Sequence, residues 1–336
     1  LVSVSDSRIT PPHELAAGAA GVERVVMASQ SSTMRGLVQT LRPHQWVKNL
    51  FVLAPMVFHK DLFIHTPSGP FLNLAVTGTA LAATGVFCLL AGAVYTINDL
   101  VDVEADRVHP VKRERPIARG DVSEMSARLM AIGLVVLSLA VSLALSKWFA
   151  LVALVYFLEN VAYSFKLKHV AFLDVGLIAF GFVLRVLGGG FAEDVRVSGY
   201  LIACTALLAL FLGFGKRLHE LNLENASKQR AALEGYSQGS LKAALFVTGV
   251  ATAGTYIAYT LAPATRAYFN SDRLWLTTPF VLAGILRFMQ LVSGRAGRGV
   301  KAESPTQEML RDVPFMLIVL LWLLVMLFII YNLRPA

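Results

Sequence analysis

Eight long apolar stretches constrain this chain more than anything else in it, covering roughly residues 71–97, 127–145, 148–163, 170–190, 199–215, 239–263, 274–291 and 313–332. Lipid offers a peptide group no hydrogen-bond partner, so apolar segments of about 20 residues are stable there as helices. Only 15% of the residues are charged, against about a quarter in a soluble protein, and mean hydropathy is +0.61. The expected fold class is all-α: one polytopic membrane domain with its helices around a central cavity. A ninth, shorter stretch runs from Trp46 to Phe63, contains Pro55 and ends in His59-Lys60-Asp61.

Charge decides whether that stretch counts. With nine spans and a cytoplasmic N-terminus, the connections 107–119, 164–169, 216–230 and 292–311 share one side and carry fifteen Lys or Arg. The opposite connections hold only Lys60, Lys147, Arg196, Arg266 and Arg273. Excess Lys and Arg mark cytoplasmic loops, so the predicted topology has nine helices, N-terminus inside and C-terminus outside. A net charge of +8 gathered on one side of so apolar a chain favours phosphate-bearing metabolites and anionic lipid over nucleic acid. Cys88 and Cys204 lie in apolar stretches and are read as packing residues. Residues 1–40 read as an N-terminal tail with room for an interfacial helix within Leu15 to Thr40, and without the apolar core of a cleavable signal peptide. The helical domain then covers 41–333, and the polar connections 98–124 and 215–238 read as small cytoplasmic caps over its cavity.

The most telling polar segment is Asn98-Asp99-Leu100-Val101-Asp102-Val103-Glu104-Ala105-Asp106, at the end of an apolar stretch. On a helix, Asp99, Asp102 and Asp106 fall at i, i+3 and i+7 and share one face. Three carboxylates together need cations, and magnesium characteristically joins one or two carboxylates to substrate phosphates. Asn98 would orient a carboxylate or touch a phosphate, while Glu104 lies on another face. The basic run Arg107, Lys112, Arg113, Arg115 and Arg119 follows. Arg115 and Arg119, in Arg115-Pro116-Ile117-Ala118-Arg119-Gly120, are candidates to bind phosphate bidentately beside the acids. The plainer alternative is a solvated helix end whose acids pair with Arg107, Lys112 and Arg113.

Asn98 to Asp106, followed by Arg113-Glu114-Arg115-Pro116-Ile117, resembles the first aspartate-rich signature of the UbiA-type intramembrane prenyltransferase superfamily, and the similarity extends from Leu41 to about Leu333. The resemblance implies nine transmembrane helices around a cavity, with magnesium-bound pyrophosphate near the cytoplasmic face of a bacterial plasma membrane. Carried over residue by residue, it makes Asn98, Asp99, Asp102 and Asp106 catalytic, with Asp99, Asp102 and Asp106 as metal ligands. Leu41-Arg42-Pro43-His44-Gln45-Trp46-Val47-Lys48-Asn49, Tyr163-Ser164-Phe165-Lys166-Leu167-Lys168 and Asp174 through Gly189 are similar to a branch whose lipid is the acceptor. That branch implies transfer of 5-phosphoribosyl from phosphoribosyl pyrophosphate to decaprenyl or another polyprenyl phosphate, an arabinan-precursor step in cell-wall assembly. The implied partners are those two substrates and membrane lipids, with room for a homo-oligomer.

The remaining candidates are weighed against membrane anchoring. Arg42, Lys48 and Asn49 would hold an anionic group near the first span, and Trp46 suits the headgroup region. Tyr163, Lys166 and Lys168 form a polar patch that either binds lipid phosphate or anchors the chain. Asp174 and Arg185 lie about 16 Å of helix rise apart, and an arginine so placed must face a cavity, a partner or an anion. The superfamily's second aspartate-rich motif is replaced by Gly215-Lys216-Arg217-Leu218-His219-Glu220-Leu221. Lys216 and Arg217 are candidates for the sugar 5-phosphate or the lipid phosphate, and Glu220 for magnesium or ribose. Two alternatives stay open: prenyl transfer from a prenyl pyrophosphate to a small acceptor, and transport of a phosphorylated metabolite or lipid.

Overall fold

The structure, a computed structural model, describes residues 33–59, 62–66, 69–222, 231–293, 309 and 311–332. The expected tail up to residue 32, Lys60, and much of the basic connections 216–230 and 292–311 lie outside the described residues. All eight long apolar stretches are helical. In chain order the helices are α1 (33–40), α2 (Ala54–Phe58), α3 (Leu74–Val101), α4 (Val103–Val108), α5 (Pro116–Arg119), α6 (Glu124–Leu145) and α7 (Lys147–Phe165), then α8 (Leu173–Glu193), α9 (Gly199–Leu221), α10 (Gln238–Leu261), α11 (Pro263–Phe269), α12 (Thr278–Val292) and α13 (Val313–Asn332). Eight segments among the described residues are long and apolar enough to cross a membrane: α3, α6 to α10, α13, and Leu274–Val292, which is α12 with the 3-10 turn before it. Their outward faces are apolar, as in Leu129, Ile132 and Val136 of α6 and Leu317, Leu320 and Leu324 of α13, which suits contact with lipid.

The stretch from Trp46 to Phe63 departs from the pattern. Pro43–Leu53 is a 3-10 helix, α2 adds little more than one α-turn, and a two-stranded antiparallel hairpin follows, pairing Phe63–Thr66 with Gly69–Leu72. Pro55 supplies no N–H, so it fits the first turn of α2 where no bond is required of it. Phe63-Ile64-His65-Thr66 has the aromatic and β-branched content of a strand, and the Pro67-Ser68-Gly69 that follows is turn chemistry. The fold is thus largely helical, with one hairpin that the all-α expectation did not include.

The chain divides into two compact units, residues 1–45 with 91–136, and 46–90 with 137–336; α3 and α6 each contribute to both. In the first unit, Val103, Ile117, Val122 and Ala127 form a small core against Leu37 and Leu100. In the second, α8 packs on α7 and α9, and α9 on α10. Val175, Phe211, Phe214, Leu218, Leu241 and Phe288 lie at one core of that unit; Tyr256, Leu274, Met326 and Ile330 lie at another. The 3-10 run presses against α8 at Gly189, where an added Cβ would stand 2.0 Å from the carbonyl oxygen of Val52. Only glycine permits that approach.

Candidate active site

In the first unit, helix α3 ends at Val101 and α4 begins at Val103, with Asp102 between them at φ −91° and ψ 3°. Backbone bonds carry the turn across this break, from the Asp102 N–H to the Asn98 carbonyl (3.0 Å) and from the Asp106 N–H to the Asp102 carbonyl (2.8 Å). Asp99 and Asp106 remain together and are buried, each 2% exposed. The sequence Arg-Pro-Ile-Ala-Arg-Gly brings a cation to both. Pro116 forces the residue before it into extended backbone, and Arg115 sits at φ −65°, ψ 140°. Ile117 anchors α5 in the core, and Gly120 at φ 86° closes it in a left-handed cap. Arg115 Nη1 then donates to Asp106 Oδ2 at 2.6 Å and lies 3.1 Å from Asp99 Oδ1. From the other side, Arg42 Nη2 donates to Asp99 Oδ1 at 2.6 Å, with its guanidinium 4.9 Å from the Tyr95 ring centroid.

Two expectations change here. Asp102 is half-buried at the helix break, and among the described residues no set of three His, Cys, Asp or Glu side chains is gathered as a metal site. Asp102 stands where α3 gives way to α4, and Asp99 and Asp106 on either side of it are the two acids that Arg115 joins. Arg119 does not reach back to the acids but pairs with Asp121 on an exposed turn. The plainer pairing holds only for the exposed acid: Arg107 binds Glu104 and Glu124, and Arg113 binds Glu114, while Arg42 and Arg115 neutralise the buried Asp99 and Asp106. Glu104 is exposed, as its helical face requires. Magnesium fits the donor set: two buried carboxylates converge on one cationic nitrogen, with hard oxygen atoms to offer and Asn98 half-buried one residue before Asp99.

The second unit holds two more polar clusters. Buried Arg185 on α8 donates to Asn49 Oδ1 (2.7 Å), the Tyr156 hydroxyl (2.7 Å) and the Gly181 carbonyl (2.9 Å), and stacks on Tyr156 and Phe182. Asn49 in turn donates to Cys88 Sγ at 3.2 Å; both cysteines are free. Asn49 and Arg185, read separately from the sequence, are therefore one buried network. At the start of α8, Asp174 lies 2.9 Å from Arg217 Nε, and Arg217 also pairs with Glu220. Arg217 is only 1% exposed, whereas neighbouring Lys216 is 38% exposed and lies 3.8 Å from Glu220. Tyr236 completes the cluster, its hydroxyl donating to Asp174 Oδ1 and accepting from the Phe172 N–H, each at 2.6 Å. Burial, then the bond to Asp174, pushes the Tyr236 phenol well above its ordinary pKa, so it stays a donor. Sequence reasoning passed over Tyr236, Tyr95 and Tyr156, since nothing in their spacing ties them to distant charges. Lys48, Tyr163 and Lys168 are half-buried and Lys166 is exposed.

The buried acid pair where a long apolar helix ends is countered by Arg42 and by Arg115, in a chain with eight described segments long and apolar enough to cross a membrane. The chain matches the UbiA prenyltransferase family over residues 52–304 and belongs to it. It is 36% identical to the decaprenyl-phosphate phosphoribosyltransferase of Mycolicibacterium smegmatis over 301 residues, 86% of this chain and 90% of that one. To the enzyme of that name from Mycobacterium tuberculosis it is 34% identical over 306 residues, 90% of this chain and 96% of that one. Among solved structures, a UbiA homolog from Archaeoglobus fulgidus bound to DMAPP and Mg2+ has the same fold, with a TM-score of 0.63 and 20% identity over 89% of this chain and 99% of that one.

Proposed function

We propose that the chain transfers 5-phosphoribosyl from phosphoribosyl pyrophosphate to decaprenyl or another polyprenyl phosphate, releasing pyrophosphate, at the cytoplasmic face of a bacterial plasma membrane. The observation that carries this reading, beside the likeness to enzymes named for that activity, is the state of the second polar segment. Its carboxylate, Glu220, and Asp174 beside it are both spent on the buried Arg217. The resemblance implies a second aspartate-rich motif there in enzymes that use a prenyl pyrophosphate; the exposed Lys216 that stands here instead suits the 5-phosphate that a phosphoribosyl donor carries besides its diphosphate.

In this reading, Asn98, Asp99, Asp102 and Asp106 are the catalytic set, with Asp99, Asp102 and Asp106 holding Mg2+; the A. fulgidus homolog of the same fold is bound to that ion. Bound there, the ion would offset diphosphate charge and improve the leaving group. Arg42 and Arg115 supply the cations nearest the diphosphate. Lys216 meets a substrate phosphate, while Arg217, Asp174 and Glu220 form its support. Lys48, Tyr163, Lys166 and Lys168 attend the lipid phosphate, with Arg119 an outer cation. Asn49 and Arg185 stabilise the cavity wall. The lipid phosphate is already an anion, so attack on the anomeric carbon needs no dedicated base; the protein positions two anions and offsets their repulsion.

The catalytic region is 41–333, with nine crossings and the polar connections as cytoplasmic caps. The ninth crossing is the 3-10 run. A 3-10 helix rises about 2.0 Å per residue and an α-helix about 1.5 Å, so Pro43–Phe58 extends about 30 Å, the thickness of the hydrocarbon layer, with fewer residues than an α-helix needs.

Purified protein in detergent is incubated with labelled phosphoribosyl pyrophosphate, polyprenyl phosphate and Mg2+, in parallel with prenyl pyrophosphate and small acceptors. The expected result is a labelled, organic-extractable lipid from the first mixture. An active preparation that prenylates an acceptor and never forms the phosphoribosyl lipid refutes the assignment.

A further inference from the structure

Asp99 has two cationic neighbours, and they are not equivalent. Arg115 has its shorter contact to Asp106, at 2.6 Å against 3.1 Å to Asp99, so Arg42 is the principal partner of Asp99. Two guanidinium groups facing the two buried carboxylates leave that pair electrically balanced. A divalent cation arriving alone adds uncompensated positive charge, and a diphosphate arriving with the cation offsets it. Arg42 is also held unusually. Its backbone is left-handed at φ 51°, which costs energy for any residue with a Cβ. The turn is fixed by the Arg42 N–H donating to the Gln39 carbonyl (3.1 Å) and the Gln45 N–H to the Arg42 carbonyl (2.8 Å). Its guanidinium lies over the Tyr95 ring, one helical turn before Asp99 on α3. An aromatic face attracts a guanidinium whether or not a carboxylate is also present.

We propose that Arg42 is the resting counter-ion of Asp99, that it yields Asp99 to a divalent cation, and that Tyr95 is the positioning residue that keeps the freed guanidinium in place for the diphosphate. The proposal rests on the acidic pair being the metal and diphosphate site, and it gives that site a built-in coupling: cation and diphosphate each bind better with the other present. Neither ligand alone satisfies every charge.

The test is Mn2+ binding to the full detergent-solubilised chain, followed by electron paramagnetic resonance, with and without inorganic pyrophosphate. Arg42→Gln is expected to bind Mn2+ alone more tightly, on the order of tenfold, because a competing cation is gone. It is also expected to lose most of the gain that pyrophosphate gives the wild type. Tyr95→Leu is expected to bind Mn2+ alone as the wild type does yet lose that gain, and Tyr95→Phe, which keeps the ring, to retain it. A folded Arg42→Gln with weakened or unchanged Mn2+ affinity overturns the proposal, since a merely structural arginine would give that result. If Arg42→Gln does not fold, the Tyr95 variants decide: coupling lost in Tyr95→Leu and kept in Tyr95→Phe supports the seat on the ring, and coupling kept in Tyr95→Leu overturns it. Wild-type Mn2+ binding indifferent to Asp99→Asn would remove the site itself, a failure distinct from loss of coupling and independent of which donor the enzyme uses.

Discussion

Lys216 and Arg217 are adjacent in sequence and opposite in circumstance. The Arg217 side chain is enclosed by Asp174 and Glu220, while that of Lys216 is more than a third exposed. Removing one partner from a buried pair strands the other charge at a cost of about 3–5 kcal/mol. Arg217→Gln is therefore expected to lower thermal stability strongly, and Lys216→Ala to leave the melting temperature unchanged while raising the KM for phosphoribosyl pyrophosphate; differential scanning fluorimetry and steady-state kinetics read the two. The reverse pattern would return Arg217 to the substrate. Residue types and short spacings marked the acids, Arg115 and the basic pair in the sequence, because charge at the end of an apolar stretch is conspicuous. What was not legible is who pairs with whom. Arg42 meets Asp99 across 57 residues and Tyr236 meets Asp174 across 62. A tyrosine in Glu-Gly-Tyr-Ser carries no local sign of a buried acceptor, and the turn at Asp102 depends on backbone that periodicity treats as continuous.

At the scale of elements, the eight long helices follow from length and hydropathy, since lipid admits little else. The region from Pro43 to Leu72 was less legible because the preferences compete: the apolar content suits a span, the prolines interrupt α-hydrogen bonding, and the aromatic and β-branched run after His59 suits strands. Packing decides part of this contest. The 3-10 run reaches α8 through Gly189, and the nearest atom to an added Cβ there is a backbone oxygen that no side-chain rotation can remove. Gly189→Ala is expected to cost at least about 1–3 kcal/mol, seen as a lower melting temperature and aggregation during size-exclusion chromatography. Gly78, with open space around it, is the control, and equal behaviour of the two variants would contradict the packing described for the run. The glycine triplet of α8 meets a different neighbour at each position: Gly188 faces the Phe87 ring, Gly189 the Val52 carbonyl and Gly190 the Val197 side chain.

For the whole molecule, the reaction is defined by which substrate is lipid and what that lipid does. The UbiA family fixes the helical architecture, and fold likeness at 20% identity says nothing about the donor. The distinction comes from the state of the charges: one acidic pair neutralised by arginines, and a second polar segment in which Glu220, together with Asp174 of α8, is committed to Arg217. Those features favour a lipid that arrives as an anion and leaves with its phosphate intact. Polyprenyl phosphate labelled with 18O in its non-bridging phosphate oxygens tests this directly when turned over with unlabelled phosphoribosyl pyrophosphate and analysed by mass spectrometry. All the label is expected to stay in the lipid product, which gains one phosphoribosyl group, and the released pyrophosphate to carry none. Labelled phosphate or pyrophosphate in the aqueous phase, with the prenyl chain joined to another acceptor, would contradict it.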